Sequence, residues 1–125
     1  MVLTKAAFLH RDYMAAYWKQ PADGDGGAAA ALADIRAYVD AHRNCEDLAM
    51  SMLVANVSKA PPVWVAAQYR DFGQWLIGTG GISSGAGHAG ARNECLTHFA
   101  KVMGHMPLIA TNAKSGDARN SWWWN

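Results

Sequence analysis

The segment at residues 45–57 constrains the fold most, because it is apolar nearly all round. An α-helix that is hydrophobic on every side is stable only when it is buried. Asn44 predicts the N-cap of this helix, and Glu46 and Asp47 place two acids in its first turn, where the helix dipole favours them. Pro61-Pro62 stops the chain soon afterwards. The sequence therefore predicts a buried helix over about Cys45–Val57.

The rest of the chain predicts three further helices and a short strand. Helical spacing of apolar residues and the positions of proline and glycine set the boundaries. The predicted elements are a helix over Arg11–Trp18, a helix over Ala28–His42, a strand over Val63–Val65 and a helix over about Ala91–Met103. Residues 73–90 are glycine-rich and predict irregular structure. Together these elements predict a small α/β domain.

Length and charge exclude several functional classes. A chain of 125 residues suits one domain. Its 11 Lys and Arg balance 10 Asp and Glu without a basic block, so nucleic acid is not an expected partner. No apolar run approaches the roughly 18 residues of a membrane span. Charged residues such as Lys5 and Arg11 interrupt the N-terminal apolar stretch, so no targeting signal is predicted within the chain.

Asn44 and Asp47 allow two interpretations. In the first, Asn44 caps the helix and the acid three residues later returns a hydrogen bond to the cap, a variant of the capping box. In the second, the helix N-terminus stabilises the Asp47 carboxylate, which then stabilises positive charge or accepts a proton. The pattern alone leaves both open.

His88 and Arg92 are four positions apart at the start of the last helix, just after the glycine-rich stretch. They could form an ordinary solvated helix face. They could also bind an anion such as a sugar phosphate, because a guanidinium group donates bidentately to phosphate oxygens. Both interpretations stay open at this point.

The sequence predicts no metal site. Asp23-Gly24-Asp25 imitates an Asp-x-Asp motif but lacks an apolar strand before it. Cys95, His98 and His105 leave the fourth ligand of a structural zinc site unfilled.

Cys45 and Cys95 are 50 positions apart. A disulfide between them would contribute roughly 4 kcal/mol in the chain-entropy model. In a reducing compartment the same residues would be two buried thiols. Spacing does not decide between these states.

Asn56-Val57-Ser58 is an N-glycosylation sequon. Its position near the end of a predicted buried helix argues against modification.

Longer strings show a resemblance to a known family. NCEDLAM, the His88-x-x-x-Arg92 block with its following cysteine, and the later MPL resemble the exostosin-type glycosyltransferases of family 64. The closing AKSGDARNSWWW is most similar to the plant-type members. The resemblance covers most of the chain, and residues 22–31 and 66–79 depart from it.

This resemblance implies a fold and a reaction. The fold would be the C-terminal portion of a GT-A domain, a Rossmann-like α/β structure. The reaction would be retaining transfer of a sugar, typically N-acetylhexosamine, from a nucleotide sugar in the presence of Mn²⁺. Acceptors in the family are glycans of the heparan sulfate type or, in plants, inositol phosphoceramide glycosphingolipids. Family members work in the endoplasmic reticulum or Golgi lumen and are membrane-associated in full length.

The resemblance also implies roles for single residues. Asp47 and Arg92 match catalytic-site positions, the first at the reacting sugar and the second near the diphosphate. Asn44 and His88 match substrate-binding positions. Cys45 and Cys95 match a pair that forms a disulfide in the family.

Residues 1–125 resemble only the C-terminal half of the family domain. The nucleotide-binding half, with its metal-binding Asp-x-Asp strand, precedes the matching region. The chain alone is therefore expected to bind donor poorly and to turn over little. An alternative function is a non-catalytic module that needs a partner chain. A core face normally covered by the absent strands would promote self-association.

Overall fold

A computed structural model of the chain describes residues 7–24, 27–65 and 88–116. Within these ranges the elements, in chain order, are α1 (Arg11–Trp18), α2 (Ala28–His42), α3 (Glu46–Ser58), β1 (Trp64–Val65), α4 (His88–Met103) and β2 (Lys114–Ser115). The predictions for α1 and α2 are confirmed, and that for α3 is correct to one residue at each end. Helix α4 begins at His88, earlier than expected. Strand β2 was not predicted.

Helix α3 lies at the centre of the core. Its Leu48, Ala49 and Met52 are fully buried, as are Ile35 of α2 and Phe99 of α4, which belong to the same cluster. Fully burying a large apolar side chain of this kind contributes about 1.5–3 kcal/mol. The prediction that this helix is buried is therefore confirmed for residues 47–55, which the other helices cover, but it is wrong for Val57, which is 57% exposed.

The N-cap of α3 is Cys45, so the prediction of Asn44 at this position is wrong. Cys45 is in the left-handed region, with φ 74°, and its side chain makes no capping hydrogen bond. The Oδ1 atom of Asn44 instead accepts a hydrogen bond from the Cys45 backbone N–H at 2.8 Å. Arg43 is also left-handed, with φ 48°. Two such residues turn the chain sharply, and the Asn44 side chain therefore binds its own neighbour rather than the helix.

Helices α3 and α4 run in the same direction. Cys45, at the beginning of α3, is bonded to Cys95 in the first half of α4. Asn56, in the last turn of α3, is hydrogen-bonded to His105, two residues beyond the end of α4. The beginning of α3 is therefore joined to the first half of α4, and the C-terminal ends of the two helices are joined to each other.

Strands β1 and β2 form a short parallel pair. Trp64 is opposite Lys114 and Val65 is opposite Ser115. The Lys114 Nζ atom lies 4.7 Å from the Trp64 ring centroid, a cation–π contact. Val63, Trp64 and Val65 are all more than half exposed. The described residues are thus mainly helical with a small parallel sheet, and the Rossmann-like GT-A fold stays a prediction.

Arg36 joins α1 to α2. Its side chain is buried, its Nη1 donates to the Tyr17 carbonyl oxygen, and its guanidinium carbon lies 5.8 Å from the ring centroids of both Tyr17 and Trp18. Burial raises the pKa of the Tyr17 phenol; the positive charge of Arg36 opposes this rise, and Asp40 and Glu46 add to it.

Of the helices described, none has the length and apolar character needed to cross a membrane.

Candidate active site

Two oppositely charged side chains meet between α3 and α4. Arg92 Nη2 donates to Asp47 Oδ2 at 2.8 Å, and Nη1 donates to Oδ1 at 3.2 Å. The Arg92 side chain is 17% exposed and the Asp47 side chain 7%. A bidentate arrangement of this kind is both strong and geometrically specific, because the planar fork of the guanidinium matches the two carboxylate oxygens. The site is therefore a rigid ion pair largely shielded from water.

The Asp47 carboxylate has a third donor. The Leu48 backbone N–H donates to Oδ1 at 2.8 Å. Asp47 also lies in the first turn of α3, where the positive end of the helix dipole faces it. These interactions compensate for removing a negative charge from water. The adjacent Glu46 is exposed, so Asp47 is the buried one of the two acids in this turn.

A disulfide fixes the two halves of the site to each other. Cys45 and Cys95 are bonded, their Cα atoms are 6.4 Å apart, and both are buried. Cys45 is two residues before Asp47, and Cys95 is three residues after Arg92. The pairing implied by the family resemblance is therefore confirmed. The cross-link holds the first turn of α3 against the first half of α4, which is the geometry that the ion pair requires.

Asn44 lies at the edge of this site, half-buried and one residue before the disulfide. Its Oδ1 accepts the Cys45 N–H. The capping-box interpretation of Asn44 and Asp47 is wrong in this structure, because Asn44 is not the cap and both Asp47 oxygens are bonded to Arg92. The second interpretation, a carboxylate held at a helix N-terminus, agrees with the geometry.

His88 is the first residue of α4, four positions before Arg92. The interpretation of Arg92 as part of a solvated helix face is wrong, because its side chain is largely buried and paired. The guanidinium fork does bind an anion bidentately, and that anion is the Asp47 carboxylate. Binding of a phosphate by His88 and Arg92 stays a prediction.

The described residues do not fit a Mn²⁺ site. Among them, no three His, Cys, Asp or Glu side chains are grouped closely enough to bind a metal ion. The imitation Asp-x-Asp motif falls partly outside the described residues, since Asp25 is not among them. We therefore assign no metal ligand and derive no step through the metal.

A second polar cluster was missed in the sequence. The Tyr38 ring is stacked between His42 and His98, with centroid distances of 3.9 Å and 4.2 Å. The buried His98 Nε2 has no hydrogen-bond partner in the described part of the chain. In the sequence, the only local sign of this cluster is the four-residue spacing of Tyr38 and His42 on α2. His98 lies on α4 and reaches them because α4 packs against α2. The open pocket beside the stack is lined by Tyr38, Asn93, Glu94, Thr97, His98 and Lys101.

Comparison with known proteins shows which protein family the chain resembles. The family model described as "Glycosyl transferase family 64 domain" matches residues 1–122. The Arabidopsis thaliana protein named Glycosylinositol phosphorylceramide mannosyl transferase 1 is 40% identical over 124 residues, covering 99% of this chain and 33% of that protein. Human Exostosin-2 is 38% identical over 109 residues, covering 86% of this chain and 14% of that protein. No solved structure matches the chain significantly.

These similarities assign the chain to a family. The chain belongs to glycosyltransferase family 64, the exostosin-like family. It spans about one third of the length of the Arabidopsis mannosyl transferase and a smaller share of Exostosin-2. A second Arabidopsis protein, Glycosyltransferase family protein 64 C3, is 32% identical over 123 residues, which are 91% of this chain and 35% of that protein.

Proposed function

We propose that this chain supplies the catalytic carboxylate and the acceptor side of a retaining glycosyltransferase. The observation that carries the proposal is the buried, bidentate Asp47–Arg92 pair with its flanking disulfide. A fixed carboxylate stabilises the positive charge that develops on the sugar ring in an oxocarbenium-like transition state. A negative charge that is already oriented needs no reorganisation when the reaction occurs.

Arg92 has two roles in this proposal. It orients Asp47 through two N–H groups, and its positive charge stabilises the diphosphate that leaves the donor. Asn44 and His88 are proposed to bind substrate, as the family resemblance implies. Because Asn44 Oδ1 is already bonded to the Cys45 N–H, Asn44 offers its Nδ2 group, a donor, to a sugar hydroxyl or phosphate oxygen.

The substrates follow from the family and its relatives. We propose a nucleotide sugar as donor and a glycolipid, inositol phosphoceramide, as acceptor. The sequence resemblance favours an N-acetylhexosamine, whereas the name of the 40% identical Arabidopsis relative favours mannose. A buried disulfide suits the oxidising lumen of the endoplasmic reticulum or Golgi, where such transfer would take place.

The chain is proposed to be the C-terminal portion of a GT-A domain. Its match to about one third of the Arabidopsis relative supports a division of labour in which nucleotide and Mn²⁺ are bound by other residues of the complete domain. On this basis the isolated chain transfers sugar slowly or not at all.

The test is a transfer assay with the native full-length protein. UDP-N-acetylglucosamine and GDP-mannose are offered separately with inositol phosphoceramide, with and without Mn²⁺, and the anomeric configuration of the product is read by NMR. Asp47→Asn should reduce kcat by about 10²–10³-fold, because the substitution removes the charge and keeps the shape. Glu94→Gln, an exposed change on α4, is the matched control and should leave the rate unchanged. Wild-type activity in folded Asp47→Asn would overturn the assignment.

The alternative is a non-catalytic module that binds a partner chain. The exposed apolar side chains of Val63, Trp64 and Val65 favour it, because a surface of this kind is stabilised by association. Sedimentation of the isolated chain, compared with a Val63→Lys and Val65→Lys double variant, tests it. Association lost in the double variant, with donor binding but no transfer by the full-length protein, would support this function over the enzymatic one.

A further inference from the structure

We propose that Asn56 carries an N-linked glycan. Asn56-Val57-Ser58 is the only Asn-x-Ser or Asn-x-Thr sequence in the chain, and its middle residue is not proline. The proposal concerns the α3 C-terminus, far along the helix from Asp47, and it does not depend on transferase activity.

The structure removes the objection that the sequon lies at a buried helix end. Asn56 is half-buried, Val57 is 57% exposed, and Ser58 and Lys59 are also exposed. The burial of α3 is confined to its earlier turns and to Ala55. The helix ends at Ser58, where Lys59 adopts a left-handed conformation and turns the chain outwards.

The hydrogen bonds of Asn56 show which atom is available. Lys59 Nζ lies 3.0 Å from Oδ1, and His105 Nε2 lies 3.0 Å from the same atom. A lysine ammonium only donates, so the atom that faces Lys59 is the carbonyl oxygen of the amide. Nδ2, the atom to which a glycan is attached, therefore points away from both partners. An N-linked glycan leaves Oδ1 as an acceptor, so both hydrogen bonds persist after modification.

The disulfide supplies the compartment. Cys45–Cys95 bonds of this structural, buried kind form and persist in oxidising environments such as the lumen of the endoplasmic reticulum. Sequons are modified in the same lumen, so a chain that forms this disulfide there also meets the glycosylation machinery. The two observations are independent, because one concerns the α3 N-terminus and the other its C-terminus.

The reaction balances as a simple substitution. The co-reactant is a lipid-linked oligosaccharide diphosphate, and the enzyme is the oligosaccharyltransferase of the lumen. A bond forms between Asn56 Nδ2 and the C1 atom of the first sugar, while the bond from C1 to the diphosphate oxygen breaks. The lipid diphosphate leaves with the electron pair, and Nδ2 gives up one proton. The attached glycan would lie beside the exposed side chains of Val57 and Met106 and cover apolar surface there.

The experiment expresses the native full-length protein in plant cells and blocks free thiols with N-ethylmaleimide before lysis. Peptide-N-glycosidase A converts a glycosylated asparagine to aspartate, and mass spectrometry of the peptide that contains Asn56 detects this change. We expect the conversion at Asn56 in the wild type. A separate peptide pair reports whether Cys45 and Cys95 are bonded, which shows that the molecules reached the lumen.

Three variants make the result specific. Asn56→Asp keeps an oxygen acceptor for Lys59 and His105 but removes the attachment atom, and Ser58→Ala removes the sequon without touching Asn56. Both should lose the glycan. Ser58→Thr keeps the sequon and should retain it. Unmodified Asn56 in molecules whose Cys45–Cys95 disulfide is formed would overturn the proposal. Conversion of Asn56 to aspartate that survives Ser58→Ala would also overturn it, because the aspartate would then come from deamidation and not from a glycan at the sequon.

Discussion

The two ends of the α3–α4 pair are held by contacts of different kinds. At the N-terminal end of α3, a disulfide and a bidentate ion pair are both buried. At its C-terminal end, the Asn56 amide accepts hydrogen bonds from Lys59 and from His105, whose side chains are exposed. Both ends bring together residues that are far apart in sequence.

The difference between the two ends is one of burial. Water competes for an exposed hydrogen bond, so its net contribution is small. A buried charge that loses its partner has no water to replace it, so breaking a buried pair is costly. The proposed chemistry lies at the end where geometry is held most firmly, and the proposed glycan lies at the end where solvent has access.

The largest effect should follow loss of the disulfide. Replacing both Cys45 and Cys95 by Ala should lower the free energy of unfolding by about 4 kcal/mol, because the cross-link closes a long loop in the unfolded chain. Urea unfolding of wild-type and variant proteins under non-reducing conditions measures this. If this loss of unfolding free energy were no greater than the loss caused by His105→Ala at the C-terminal end of α3, the two ends would not differ in stability.

Breaking the ion pair should have the next largest effect. Asp47→Ala should lower the free energy of unfolding by about 3 kcal/mol, since it leaves the Arg92 guanidinium largely buried without its carboxylate. The double variant Asp47→Ala with Arg92→Ala should lose less than the sum of the two single losses, because both single variants remove the same ion pair. Strict additivity in this cycle, measured by urea unfolding, would show that the two side chains do not interact.

The C-terminal end should respond weakly. His105→Ala should lower the free energy of unfolding by about 0.5–1 kcal/mol, because the exposed contacts of its ring with Asn56 Oδ1 and with the Met103 carbonyl oxygen are lost. His105→Gln, which keeps a donor in the side chain, is the matched control and should lose less. A loss at His105 comparable to that at Asp47 would mean that burial does not explain the difference.

The smallest effect concerns pH and the contact between α1 and its neighbours. The pKa of Tyr17 is raised in the folded state, mainly by burial and further by Asp40 and Glu46. The unfolded state therefore ionises first, and stability falls as pH rises through the ordinary tyrosine pKa of 10.0. Comparing urea unfolding below and above this pH in wild type and Tyr17→Phe tests the contribution. The variant should lose less stability with rising pH.

The sequence predicted the helices because their signals are local. The segment of α3 is apolar on nearly every side, which predicted a buried helix. Pro21 predicted the end of the segment that contains α1. The Cys45 N-cap could not be predicted, because its left-handed conformation occurs beside a bond to Cys95, far away in sequence. Asn44 looked like a cap since asparagine favours that position, but the turn at Arg43 directs its side chain elsewhere.

The site was predicted in part. The family resemblance implied that Asp47 and Arg92 lie at one reaction centre, and this role stays a prediction; the structure shows the two side chains in direct contact. That contact spans 45 positions, which no local pattern encodes. The approach of His105 to Asn56 had no signal in either segment. Both depend on the parallel arrangement of α3 and α4, a property of the whole chain.

This parallel arrangement determines when the site can form during synthesis. Residues 46–58 leave the ribosome before residues 88–103, so α3 has emerged while its partner helix is still inside the ribosome. Until α4 emerges, Cys45 cannot bond to Cys95, and Asp47 cannot pair with Arg92. Closing contacts over such separations slows folding, because loop entropy is lost before the contacts form. The ion pair is therefore formed late in folding, and the Asn56 sequon leaves the ribosome before His105 can bind it.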